Sequence, residues 1–98
     1  MIVRYLKVPR YQEVEKIDGG LFIRESYHPI GCVVTDVVDG EVKVGWSLCH
    51  PNDTFSKKAA RDMAVRKLGI KHVHPKLARL AQSLVEKTER WVSQGKKV

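Results

Sequence analysis

Apolar and polar positions change period about halfway along the chain. Between Ile2 and Cys49 they alternate or run in short β-branched stretches, which is the two-residue period of strands. From Phe55 onward they recur every three or four residues, the period of helices. Residues 2–8, Ile-Val-Arg-Tyr-Leu-Lys-Val, are β-prone and stop at Pro9, which withholds a backbone donor. Residues 12–17 and 21–27 flank Asp18-Gly19-Gly20, whose glycines supply the positive φ of a hairpin turn. The stretch Tyr27-His28-Pro29-Ile30-Gly31 reads as a further break.

The clearest element is a hairpin over 31–49 that turns at Asp39-Gly40, a type I′ signature. A two-residue loop there places Val38 opposite Glu41, Val37 opposite Val42, Asp36 opposite Lys43, Thr35 opposite Val44 and Val33 opposite Trp46. Val33, Thr35, Val37, Val42, Val44, Trp46 and Leu48 then share one face, and Cys32, Asp36, Glu41, Lys43, Ser47 and Cys49 the other. One apolar and one polar face predict an antiparallel sheet covered on one side, with a cross-strand Asp36–Lys43 pair.

Two helices follow. Pro75 suits a first helical position, and Leu77, Leu80, Ala81, Leu84, Val85, Thr88, Trp91 and Val92 form one stripe, so a helix over about 75–93 packs on the sheet. An earlier helix spans about 54–68, with Asp53 or Thr54 as N-cap and Gly69 near its end. Phe55, Ala59 and Met63 mark its buried side, and its alanines allow close approach to a neighbour. The expected fold is α+β: one domain over 1–98, an antiparallel sheet of about four strands packed by two C-terminal helices, ββββαα.

Composition narrows the class. Among 98 residues, 43% are hydrophobic and 30% charged, which is the balance of a globular chain. No apolar run reaches the roughly 18 residues of a membrane span, the N-terminus has no signal-peptide core, and two cysteines suggest reduced thiols. These features predict a cytoplasmic location and no membrane partner.

Charge carries the strongest functional signal. The 18 Lys and Arg against 11 Asp and Glu give +7. Residues 1–53 are net −2, whereas residues 54–98 hold twelve basic and three acidic residues. Within 57–79, eight basic residues stand against Asp62 alone, a concentration that favours polyanions or an acidic protein surface. Lys57 and Lys58 in a first helical turn oppose the helix dipole unless an anion sits at the terminus. Thr54, Ser56, Lys57, Lys58, Arg61, Arg66, Lys67 and Lys71 are therefore the candidate nucleic-acid or anion-binding residues.

Other chemistries fit less well. Cys49, His50, His72, His74 and His28 are metal-ligand types without the two spaced pairs of a zinc site, so no metal or cofactor is expected. Asp36, Asp39 and Glu41-Val42-Lys43 resemble a nuclease carboxylate set, but hairpin pairing accounts for them. Adjacent Cys49-His50 is the sole local nucleophile–base combination, and neighbours in sequence rarely have working geometry. No P-loop, nucleophile elbow or dinucleotide fingerprint is present. An enzyme is not expected. Trp46 and Trp91 fall on core faces, and no aromatic base-stacking motif is visible, so the basic helix is the better interface.

The segment from Val44 to Leu68 carries a strand ending in Ser47-x-Cys49, then Asp53-x-Phe55-x-Lys57-Lys58, then Arg61 and Ala64. This pattern resembles a family of short uncharacterised bacteriophage and mobile-element proteins, in which a glycine stands where this chain has Ala60. The resemblance implies a phage-type origin, and with it association with host nucleic acid, nucleases or polymerases, in the host cytoplasm. The expectation is a small, basic, non-enzymatic nucleic-acid-binding accessory protein with phosphate contacts from the first helix. The alternative is a phage-type inhibitor docking the same basic face on an acidic host protein.

Overall fold

A computed structural model describes residues 1–49 and 54–98. Strands β1 (Ile2–Glu15), β2 (Leu21–Val38) and β3 (Glu41–Leu48) form an antiparallel sheet in the order β1-β2-β3. Helix α1 (Lys57–Arg66), a 3₁₀ turn (Pro75–Leu77) and helix α2 (Ala78–Ser93) complete this α+β fold. No helix among the described residues is long and apolar enough to cross a membrane.

The sheet has three strands rather than about four, because neither proline break ends a strand. Pro9 sits in β1, an edge strand where a missing N–H need not cost a ladder bond. Pro29 lies just before β3 begins to pair with β2 at Gly31↔Leu48, so β2 is itself an edge there. A register shift at Leu6/Lys7 leaves Ile30 as the extra residue of a bulge. The hairpin of β2 and β3 has the expected register throughout, from Val38↔Glu41 to Val33↔Trp46. Asp39 (φ 53°) and Gly40 (φ 78°) both take the left-handed conformation that a type I′ turn requires.

The sheet is covered on both faces, not one. Val33 and Ile2 face Leu77, Ala81 and Leu84 of the C-terminal helical segment, with Val44, Trp46 and Leu48 beside them. Cys32 and Val34, of opposite parity along β2, pack with Ala64, Val3, Tyr5, Ala60 and Leu68 under α1. The face expected to remain polar is therefore a second core. Its polar Ser47 is buried with its hydroxyl donating to the Ala60 carbonyl at 2.7 Å. The Asp36–Lys43 ion pair does not form: Lys43 pairs with Glu41 at 2.8 Å, and Asp36 faces the Met1 amine at 3.7 Å.

The connection from α1 to α2 wraps the outer edge of β3. The Gly69 amide donates to the Val44 carbonyl, and the Trp46 indole N–H donates to the His72 carbonyl at 2.8 Å. The first of these bonds occupies an edge carbonyl of β3 that would otherwise invite pairing with another chain. Beyond β3, residues 7–29 continue as a two-stranded ribbon about 30 Å long. The ribbon accounts for principal extents of 61 × 29 × 22 Å and a radius of gyration of 17.2 Å, against about 13 Å for a compact chain this long.

Candidate nucleic-acid interface

Helix α1 starts later than the apolar pattern suggests. Its N-cap is Ser56, in extended conformation, whose hydroxyl accepts from the Ala59 amide at 3.3 Å. Thr54 lies two residues before the cap and is exposed. Asp53, the other expected cap, lies outside the described residues, as does His50. With Ser56 engaged in capping, one of the amides expected to receive an anion already has a partner.

The buried side of α1 also differs from expectation. Ala64 is fully buried and Ala60, Lys67 and Leu68 half-buried, whereas Ala59 is exposed and Met63 is 48% exposed. Of the expected buried set, only Phe55 holds its place, packing edge-on against Tyr5 with ring centroids 6.1 Å apart. Choosing Ala60 and Ala64 rather than Met63 brings the helix backbone down onto β3, which larger side chains would prevent.

That seating fixes where the charges point. At about 100° per residue, Lys57, Lys58 and Arg61 fall within an arc of about 100° on the helix. The Lys57 ammonium lies 5.4 Å from the Tyr5 ring centroid. Burial pushes the Cys32 thiol up to about 11, with the Arg61 charge opposing the rise. The first turn of α1 contains no acidic residue, and the ion pairs among the described residues leave these three cations unneutralised. Arg66 stands in the last turn, where it complements the helix dipole. The Lys67 ammonium sits 4.8 Å over the Trp46 ring, and Lys71 is exposed on the connection. The eight predicted residues thus divide: Thr54, Ser56, Lys57, Lys58 and Arg61 gather at one end of a helix about 15 Å long, and Arg66, Lys67 and Lys71 at the other.

Several residues considered for other chemistry have structural partners. His74 caps the 3₁₀ turn, its Nδ1 accepting from the Lys76 amide at 3.1 Å, and His28 meets Ser26 at 3.2 Å. Among the described residues no group of three or more His, Cys, Asp or Glu side chains is placed to hold a metal. Glu41 is held below the usual carboxylate range by its hydrogen bond and charge pairing with Lys43, which uses the lysine expected in a nuclease-like set. Compared with protein families, curated proteins and solved structures, the chain matches none.

Proposed function

We propose that this chain is a small, basic, non-enzymatic nucleic-acid-binding accessory protein whose first helix contacts the phosphate backbone. One observation carries the reading: Lys57, Lys58 and Arg61 share one flank of α1, with no acid in its first turn. A structural helix gains by placing acids there, so lysines at this position make sense when a polyanion supplies the missing negative charge. Arg66, Lys67 and Lys71 extend the positive field along the same segment, and Thr54 adds an exposed hydroxyl beside it. Contacts of this kind give affinity without sequence information. The resemblance of residues 44–68 to short phage proteins is consistent with such a role in a host cytoplasm.

A second reading has one observation in its favour. Val65, 37% exposed, projects on the same flank between Lys58 and Arg61, as an apolar anchor inside a basic patch would in a protein-docking inhibitor. Titration of fluorescent duplex DNA and single-stranded RNA at two salt concentrations separates the two readings. Micromolar, salt-dependent binding supports the nucleic-acid reading. No binding at low salt overturns it and turns attention to acidic host proteins.

A further inference from the structure

We infer that the β1–β2 ribbon enters the major groove of B-form duplex DNA with its Arg10–Gln12–Arg24–Ser26 face, which continues the α2-covered side of the sheet, toward the base edges. This rests on the nucleic-acid reading above.

The strand register separates the arginines from the carboxylates across the two faces of the ribbon. Cross-strand partners share a face, so Val8/His28, Arg10/Ser26, Gln12/Arg24 and Val14/Phe22 lie on one side. Lys7/Pro29, Pro9/Tyr27, Tyr11/Glu25, Glu13/Ile23 and Glu15/Leu21 lie on the other. Lys16 joins the first face, its ammonium 5.7 Å over the Phe22 ring. Within the ribbon strands every carboxylate belongs to the second face and both arginines to the first. Neither arginine is neutralised by an ion pair among the described residues.

Three physical features select the ligand. A two-stranded ribbon is one of the two elements that the roughly 12 Å major groove of B-DNA admits. Arginine and glutamine are the side chains that reach guanine and adenine edges in bidentate fashion. Their spacing also fits: Arg10 and Gln12 are two residues apart on one strand, about 7 Å, which is close to two base-pair steps of about 3.4 Å. The carboxylates on the opposite face are repelled by the polyanion, which fixes the face that turns inward. A-form RNA duplexes are excluded by their deep, narrow major groove.

The test is dimethyl sulfate footprinting of guanine N7, a major-groove atom, on mixed-sequence duplex DNA. The native chain is compared with an Arg10→Ala/Arg24→Ala variant. Both side chains are exposed, so the variant keeps its fold, checked by circular dichroism. The expected result is N7 protection by the native chain, its loss in the variant, and an affinity loss of about tenfold or more. Native binding to duplex DNA without N7 protection, or protection that survives in the variant, overturns the groove assignment while leaving the phosphate reading intact. Absence of DNA binding by the native chain overturns both.

Discussion

Gly45 of β3 lies directly beneath Ala64 of α1. A Cβ built on this glycine would collide with the Ala64 carbonyl oxygen and come within 2.9 Å of the Leu68 backbone nitrogen. Both obstacles are backbone, so no rotamer change relieves them. Gly45→Ala is expected to lift α1 from the sheet and to cost about 3 kcal/mol, the upper range for overpacking. Urea unfolding measures this, and a loss below about 1 kcal/mol would show that α1 seats more loosely than described.

Thr35 and Thr88 form a buried pair at 2.6 Å that ties β2 to α2. The Thr88 hydroxyl donates to the Leu84 carbonyl at 2.8 Å, so the proton between the two threonines belongs to Thr35. Thr88→Val removes the acceptor and strands a buried donor, at a cost of about 1–3 kcal/mol. Adding Thr35→Val removes the stranded group, so the double variant should be destabilised by less than the sum of the two single changes. Thermal or urea unfolding of the four proteins closes the cycle, and strict additivity would refute the bond.

The parts of the fold that were legible depend on local signals. Alternation and Asp39-Gly40 fixed the β2–β3 register residue by residue, because a two-residue turn leaves no freedom. Pro9 and Pro29 misled because proline reports a missing donor, not whether a neighbouring strand is there to need it. The second core was hidden because the residues where α1 meets the sheet are small: Gly45, Ala60 and Ala64 give no hydrophobic stripe, yet they permit close packing. In the candidate site, the Lys57–Lys58–Arg61 flank was readable from helical spacing. The ribbon was not, since its charges cancel in composition and separate only once Arg10 and Arg24 are placed on one face by pairing.

Cys32 couples the second core to pH. Burial pushes its thiol up to about 11 from an ordinary 9.0, with Arg61 opposing the rise. The folded state holds this proton more tightly than the unfolded chain, so the contribution is complete below about pH 9 and is lost as pH rises toward 11. Relative to a Cys32→Ala variant, which lacks the titrating group, the native chain should lose about 2 kcal/mol between pH 8 and pH 11. Urea melts of both proteins across that window measure the difference. A gap independent of pH would mean that the thiol titrates normally in the folded protein.

The α1 flank yields the most direct functional prediction. Lys57→Ala, Lys58→Ala and Arg61→Ala combined replace exposed cations by the best helix former, so α1 should persist and the fold remain intact. If the three side chains meet phosphates, binding should weaken for every sequence alike. The dependence of log affinity on log salt should flatten by up to about 2.7, from about 0.9 per lost contact on duplex DNA. Anisotropy titrations over a salt series give both quantities. Affinity lost without a change in salt slope would show that the three side chains do not neutralise phosphates, and unchanged affinity would remove them from the interface.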